Sequence, residues 1–362
     1  MKKDSNQTEI VLVHLGKNLP EYLFRNIEHI SELFQNITIN LIVSKNNNHH
    51  AFRMKNVNIV YYQPSKNIDD LLESKIIDLS FRNGFWRYSL ERLFSIEQLH
   101  STKPTKSFLY VESDVLILPG FPLSAFSNLT KIHWLPADYE SDIASLIFFP
   151  RYKLTQQFAQ DLLGYLQKNI APTDMKGLRY LRENYPTRYK LLPTGNSNFP
   201  RLTRGNKVYS HSSMRYFRGV FDSAAIGMWL TGVDPRLTYG FKKYFDTNMV
   251  NSEKSIIDPS AYRIMLSKDK KMYFNYQKHL LPVYNLHIHS KSKKLLSINW
   301  YNELSILVKN SDNNKVRTKF FPKVLAKLIL DNFSSKTLLP FIYYSPMLKS
   351  LRIFRKIVQG KS

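Results

Sequence analysis

The first 118 residues alternate between short apolar segments and amphipathic segments, and this alternation restricts the possible folds more than any other feature of the chain. Runs of β-branched and aromatic residues predict strands, and apolar residues at helical spacing predict helices. The predicted strands are 10–15, 37–43, 57–62 and 108–118, and the predicted helices are 21–34 and 85–99. Strands that alternate with helices predict an α/β fold, in which a mostly parallel sheet is covered by helices and ligands bind at the carboxyl ends of the strands.

The apolar run at 108–118 predicts one buried strand that ends in an acidic step, Glu112-Ser113-Asp114. Buried carboxylates cost free energy unless a positive group lies against them. Mg²⁺ and Mn²⁺ take oxygen ligands, and one or two carboxylates often hold them while phosphate oxygens complete the coordination shell. Glu112 and Asp114 therefore indicate a site for a metal and a nucleoside diphosphate. The alternative is a strand that ends in a solvated acidic turn.

Beyond residue 118 the alternation becomes less regular. Strands are predicted at 131–135 and 144–149, and a helix is predicted at about 153–167. Residues 192–218 are rich in Pro, Asn, Ser, Gly and Arg and show little periodicity. This composition predicts a long loop or a lid that closes over a substrate.

Two aspartates stand at predicted helix starts in the second half of the chain. Thr173 or Asp174 is suited to cap one helix, and Asp222 is suited to cap a short helix that follows it. Small residues in the short helix, among them Gly227, predict that it packs closely against a neighbouring element. Capping by itself is one explanation of Asp222.

Two histidines near the end of the folded core share a predicted strand at 283–291. Alternation along a strand places His287 and His289 on one face. Together with Lys291 they suit a metal ligand and a diphosphate contact. The alternative is that both histidines are structural.

The predicted helix at 85–99 carries two arginines that could contact a phosphate, Arg87 and Arg92. They are five residues apart, which separates them by about 140° around the helix, so they do not hold the same phosphate. Arg87 and Glu91 form an i, i+4 pair. Internal salt bridges are therefore the alternative role for both arginines.

The composition bounds the partners and the chemistry. The chain of 362 residues is 43% hydrophobic, which is enough for a large core, and its net charge is +24, so an anionic partner is expected. The chain has no Cys, which excludes disulfides, thiolate zinc sites and a Cys nucleophile. No zinc-finger spacing or aromatic RNA-binding motif is present, so nucleic acid is not an expected partner.

The last 52 residues are strongly basic, with 11 Lys and Arg against 2 Asp. Two segments in this tail, 321–328 and 347–358, are basic and amphipathic. Such segments predict helices that bind an anionic membrane surface. The alternative is a pair of ordinary helices packed on the core. Because no signal-like or spanning segment is evident, the predicted location is cytoplasmic and peripheral to the inner face of the cell membrane.

Four blocks of sequence carry a resemblance to a known family: GFWRYSLERLF at 84–94, FLYVESDVLI at 108–117, FDSAAIGMWLTGVDPR at 221–236 and NLHIHSK at 285–291. Together with the alternating first half, they resemble bacterial glycosyltransferases of the GT-A type, from the group that builds surface polysaccharides. The resemblance spans roughly residues 10–291.

The resemblance implies a Rossmann-like mixed sheet flanked by helices, in a GT-A catalytic domain at 1–294 with a nucleotide-binding half at about 1–118 and an acceptor half at about 119–294. A basic helical C-terminal extension at 295–362 would follow.

The resemblance also implies roles for individual residues. GT-A enzymes bind Mn²⁺ or Mg²⁺ and the donor diphosphate through an acidic DxD motif, which here would be Glu112-Ser113-Asp114 and departs from the pattern at its first position. Asp114 is then the expected metal ligand, and His287 or His289 would add to the metal or the diphosphate. Lys291 and Arg87 are the other candidate contacts of the diphosphate.

A catalytic carboxylate at a helix start is implied as well, because inverting members of the family often place one there. Asp174 matches this position, with Asp222 as the second candidate.

The function that follows is metal-dependent transfer of a sugar from a nucleotide-diphosphate donor to a glycan acceptor, expected to be a lipid-linked surface polysaccharide. One alternative is a nucleotidyltransferase or another nucleotide-binding enzyme on a similar sheet. Such an enzyme should have a Gly-rich phosphate loop, yet residues 14–18 contain one Gly. The other alternative is a non-catalytic basic protein that binds membranes or nucleic acid.

Overall fold

The computed structural model describes residues 8–45, 54–77, 79, 84–138, 140–203, 213–231, 256–289, 295, 296 and 299–312. The chain forms two compact units, Met1–Val308 and Lys309–Ser362. Of the second unit, only 309–312 are described. Lys291 and the basic segments 321–328 and 347–358 lie outside the described residues.

The described residues form strands and helices in a mixed order along the chain. The strands are β1 Glu9–His14, β2 Ile39–Ser44, β3 Val57–Tyr62, β4 Phe108–Val111, β5 Val115–Ile117, β6 Ile132–Pro136, β7 Asp142–Phe149, β8 Tyr189–Leu191, β9 Arg263–Leu266, β10 Met272–Tyr276, β11 His279–Val283 and β12 Asn285–His287. The helices are α1 Glu21–Leu33, α2 Lys66–Glu73, α3 Phe85–Thr102, α4 Tyr152–Lys168, α5 Asp174–Asn184, α6 Met214–Phe217, α7 Ala225–Thr231 and α8 Trp300–Asp312.

A seven-stranded sheet in the order β3-β2-β1-β4-β7-β6-β8 forms the centre of the first unit. The strands β3, β2, β1 and β4 are parallel, and β7 runs antiparallel to β4 and β6. Two smaller antiparallel sheets, β11-β10-β9 and β12-β5, complete the strand pairing. The predicted α/β class, a mixed and mostly parallel sheet flanked by helices, is confirmed.

Both faces of the central sheet are covered at its centre, which explains why β1 and β4 are almost continuously apolar. In β1, Ile10 and Leu12 belong to one core with Leu23 and Ile27 of α1. The alternate residue Val11 belongs to a second core on the other face, which α3 and α4 complete. Alternation along the strand thus distributes one apolar run between two cores.

The predicted strand at 108–118 is wrong in one respect, because it divides at the acidic step. Its first part, β4, lies in the central sheet between β1 and β7, and its second part, β5, pairs with β12. The backbone turns between them, where Val115 N donates to Glu112 O at 3.0 Å. The polar step therefore allows one apolar run to supply strands to two sheets. Helix α2 was not predicted.

A third core lies between the smaller sheets, α7 and the chain that follows β12. It includes the apolar residues Leu295, Leu296, Trp300, Leu304 and Val308. The start of the predicted C-terminal extension therefore packs within the first unit. Within the described residues, no helix has the length and apolar character needed to span a membrane.

Candidate metal and active site

Glu112, Ser113 and Asp114 form the acid loop, which links β4 to β5 at the carboxyl edge of the central sheet. Neighbouring strands hold its backbone. Glu112 N donates to Ser145 O of β7 at 2.9 Å, and Ile288 N donates to Asp114 O at 2.8 Å. The loop is therefore positioned from the central sheet on one side and from the end of β12 on the other.

His287 ends β12 and faces the acid loop, because β12 pairs with β5 in a register that opposes His287 to Val115. Its Nε2 lies 3.4 Å from an Asp114 carboxylate oxygen and 3.5 Å from a Glu112 carboxylate oxygen. Its Nδ1 lies 2.7 Å from the carbonyl oxygen of Ser223. Since a carbonyl only accepts, Nδ1 carries a hydrogen, and Nε2 is the ring nitrogen that faces both carboxylates.

This arrangement of acceptors fits a divalent cation. Ligand atoms of Glu112, Asp114 and His287 all lie within 4.8 Å of one another. Two carboxylates and an imidazole nitrogen are suitable donors for Mn²⁺ or Mg²⁺, and a ligating histidine usually donates its other N–H to a carbonyl or carboxylate, as His287 does to Ser223.

The protonation of His287 reflects the same charges. Burial lowers the pKa of His287, but the opposite charges of Asp114 and Glu112 outweigh burial and raise it to about 9. Without a cation, a proton on Nε2 therefore offsets the two carboxylates. A metal ion at this position would take over that role.

His289 lies beside this group. Among the described residues, the converging ligand atoms come from Glu112, Asp114 and His287. β12 ends at His287, and His289 follows in a turn with its ring centroid 4.2 Å from that of His287. The two rings are adjacent, as expected, but the predicted strand does not continue to His289.

Arg92 connects the acid loop to the start of α5. Its guanidinium pairs with a Glu112 carboxylate oxygen through Nη1 and with Asp174 through Nη2, the latter at 2.6 Å. Thr173 caps α5, because its hydroxyl accepts from Lys176 N at 3.2 Å. Burial raises the pKa of Asp174, although the charge of Arg92 opposes this. The structure therefore brings Asp174 beside the acid loop, which the sequence alone did not indicate.

Asp222 has a different role from Asp174. Its buried carboxylate accepts from the backbone N–H groups of Ile226 at 2.9 Å, Gly227 at 2.7 Å and His287 at 3.0 Å. These contacts cap α7 and join it to β12. The capping explanation accounts for Asp222, and its candidacy as a catalytic base is not supported.

Gly227 explains how α7 comes so close to β12. A Cβ atom at this position would lie 1.9 Å from the carbonyl oxygen of His287. The expected close packing of the short helix is confirmed. The same packing places the Ser223 carbonyl, just before α7, within hydrogen-bond distance of His287 Nδ1.

Arg87 is occupied by carboxylates rather than directed at the acid loop. It pairs with Asp69, with Glu91 at 2.6 Å and with Glu73 at 3.8 Å. The salt-bridge alternative therefore accounts for Arg87, and its candidacy as a diphosphate contact loses support.

Solved glycosyltransferases resemble this chain in fold, whereas no family model and no curated protein matches it. The galactosyltransferase LgtC, in complex with donor and acceptor sugar analogues, is 10% identical, with a TM-score of 0.37 over 51% of this chain and 73% of that one. A glycosyltransferase involved in glycosylation of the major capsid of PBCV-1 is 17% identical, with a TM-score of 0.32 over 51% and 81%. GlyE of Streptococcus pneumoniae TIGR4 is 11% identical, with a TM-score of 0.35 over 86% and 64%.

Proposed function

We propose that this protein is a metal-dependent glycosyltransferase that moves a sugar from a nucleotide-diphosphate donor to a glycan acceptor. The observation that carries the proposal is the convergence of Glu112, Asp114 and His287 ligand atoms within 4.8 Å at the carboxyl edge of the sheet. Ligands bind at this edge in open α/β sheets. The excess of acceptors there is suited to a cation that a diphosphate also contacts.

The chemistry of glycosyl transfer explains the use of these groups. When the bond between sugar and phosphate breaks, negative charge develops on the leaving nucleoside diphosphate, and a divalent ion stabilises that charge. Asp114, Glu112 and His287 would hold the ion. The Ser223 carbonyl keeps His287 in the tautomer that presents Nε2. Arg92 offsets the negative charge of Glu112, which would otherwise repel the diphosphate.

Asp174 is the candidate base if the reaction inverts the anomeric centre. It is the carboxylate that Arg92 joins to the acid loop, and burial raises its pKa, which favours proton uptake from an acceptor hydroxyl. The Arg92 contact orients it at 2.6 Å. Asp222 is not proposed for this role, because three backbone N–H groups occupy its carboxylate.

A lipid-linked acceptor and a peripheral position at the inner face of the cell membrane form the second part of the proposal. The net charge of +24 supports it, as does the concentration of basic residues in the last 52 residues. Each basic residue near an anionic bilayer contributes about 1 kcal/mol of binding free energy.

The metal-dependent step is tested by titrating the protein with UDP- and GDP-sugars, with and without Mn²⁺. We expect donor binding that requires Mn²⁺ and transfer that releases a nucleoside diphosphate. Release of a sugar 1-phosphate, with transfer of the nucleoside monophosphate, would indicate a nucleotidyltransferase instead. No nucleotide binding under either condition would indicate a non-catalytic protein.

The membrane part is tested separately by deleting residues 315–362 and measuring binding to anionic liposomes. We expect the truncated protein to lose liposome binding and to retain transfer to a soluble acceptor analogue. Retained liposome binding would contradict the role of the tail. Deletion from 299 is the contrasting variant, since it removes Trp300, Leu304 and Val308 from the third core and should make the protein insoluble.

A further inference from the structure

Asn26 is a fully buried polar residue on the apolar face of α1 that the mechanism above does not use. Its side-chain amide donates to Ser113 O at 3.1 Å and to Val115 O at 2.9 Å. Because both partners are carbonyls, which only accept, the NH₂ group and not the oxygen must face them. Asn26 thus places one hydrogen bond on each side of Asp114.

With these two bonds, each backbone carbonyl of residues 112–115 accepts a hydrogen bond. Glu112 O accepts from Val115 N, and Asp114 O accepts from Ile288 N. Ser113 O and Val115 O accept from the amide of Asn26, the one side chain among the described residues that donates to them. Loss of that amide would leave a buried carbonyl without this donor on either side of Asp114.

The side-chain oxygen of Asn26 indicates that this position requires the two N–H donors of the amide. Among the described residues, Asn26 Oδ1 has no hydrogen-bond partner. A buried polar atom without a partner is costly, so an apolar residue would suit the packing of α1 better. The two donated hydrogen bonds must therefore offset the free-energy cost of the unpaired oxygen.

One turn further along α1, His29 continues the contact with the same segment. Its Nε2 lies 2.7 Å from Ile117 O, and burial lowers the pKa of His29, which keeps the ring neutral with Nε2–H as donor. The rings of His29 and Trp300 form a T-shaped contact at a centroid distance of 5.2 Å. Helix α1 is therefore fixed against the acid loop and β5, and α8 supports it from outside.

We propose that Asn26 is a positioning residue for the metal site, whose amide holds the backbone on both sides of Asp114 so that its carboxylate converges with Glu112 and His287. The inference rests on the proposed metal site. Residues that orient metal ligands in this way typically change metal affinity when they are replaced.

The test measures Mn²⁺ affinity of the full-length protein without nucleotide, by the electron paramagnetic resonance signal of free Mn²⁺. Asn26→Leu removes both donors at similar volume, and we expect it to weaken Mn²⁺ binding by about 10- to 100-fold. Asn26→Ser retains one donor, so we expect a smaller loss of Mn²⁺ affinity. It is the milder change and replaces Asn26→Leu in the test if that variant does not fold. The thermal midpoint of the metal-free protein is measured for each variant.

Asn56→Leu is the matched control. The Asn56 amide also donates to a backbone carbonyl, Ile37 O at 3.3 Å, but at the opposite edge of the sheet, where β3 begins. We expect it to lower the thermal midpoint and leave Mn²⁺ affinity unchanged.

The outcomes separate the two proposals. If a folded Asn26 variant binds Mn²⁺ as tightly as the wild type does, the positioning role alone is overturned. A wild-type protein that binds no Mn²⁺ overturns the metal site and the positioning role together.

Discussion

Two clusters of buried charged side chains lie on the central sheet, and they differ in how the negative charge of their carboxylates is balanced. At the start of β7, the Asp142 carboxylate accepts from Arg182 at 2.7 and 3.0 Å and from Trp134 Nε1 at 2.8 Å. At the acid loop, the carboxylates of Glu112 and Asp114 face the Nε2 of His287. The first group balances its acceptors with fixed N–H donors. In the second, three ligand atoms converge, and in the metal-free protein a proton on His287 Nε2 offsets the two carboxylates. A group with fixed donors stabilises a fold, whereas a group whose balancing proton can be displaced is suited to bind a cation.

Replacement of a metal ligand should produce the largest functional effect. Asp114→Asn removes an anionic oxygen at nearly constant volume, so we expect loss of detectable transfer and of Mn²⁺ binding with the fold intact. Calorimetric Mn²⁺ titration and a transfer assay on the purified variant measure this. Turnover near the wild-type level with an unchanged metal requirement would show that Asp114 is not a ligand.

Breaking the balanced group should instead destabilise the protein without affecting the metal. Asp142→Asn removes the negative charge that pairs with Arg182, and removal of one member of a buried ion pair costs about 3–5 kcal/mol of unfolding free energy. Urea unfolding measures the loss, and Mn²⁺ affinity of the folded fraction should match the wild type. A variant that is as stable as the wild type would mean that the two groups do not differ in the way described.

The pH dependence of metal affinity sharpens the comparison. The pKa of His287 is raised to about 9, so at neutral pH the ring is protonated in the metal-free protein and Mn²⁺ must displace that proton. Affinity should therefore rise with pH, by about tenfold per unit, and level off near pH 9. Mn²⁺ titrations between pH 7 and 9 measure the slope. His287→Ala should abolish it, and a wild-type slope of zero would contradict the ligand assignment.

Of the two aspartates at helix starts, Asp222 provides the smallest expected effect. Asp222→Asn weakens the cap of α7, so we expect a loss of about 0.5–2 kcal/mol in unfolding free energy with turnover per folded molecule retained. Asp174→Asn is the paired variant and should lower turnover far more than donor affinity, since a base acts in the transition state. Unfolding curves and steady-state kinetics of both variants measure the difference. If both lose only stability, Asp174 is structural too and the base lies elsewhere.

The sequence was informative wherever the physical signal is local. Apolar runs and helical spacing placed β1, α1, β2 and β3 close to their observed bounds. A strand covered on both faces is apolar along its length, and a helix buried along one side has apolar residues at helical spacing. It did not reveal that 108–118 supplies strands to two sheets, since both parts are equally apolar and the pairing of the second part with β12 is a contact between distant segments. It did not predict α2, which is short and has one buried residue, Leu72.

The candidate site shows the same division between local and distant information. Glu112, Asp114, Asp174 and His287 could all be identified as chemically capable from residue type and local position. Asn26 left a weaker signal, a polar residue on the buried stripe of α1. The local pattern does not indicate the two carboxylate partners of Arg92, Glu112 and Asp174, the second of which is 82 positions away.

The sequence by itself determined the order of β1, α1, β2, β3 and α3 and the inventory of carboxylates and imidazoles, because these follow from periodicity and residue chemistry over a few neighbouring positions. Only the tertiary structure decided which of these groups act together. The register of β5 against β12 brings His287 to Asp114, and the close approach of α7 at Gly227 fixes the His287 tautomer through Ser223. The physical reason is that a metal site depends on distances of a few ångströms between segments far apart in the chain. Those distances result from packing of the whole first unit and leave no periodic pattern in any one segment.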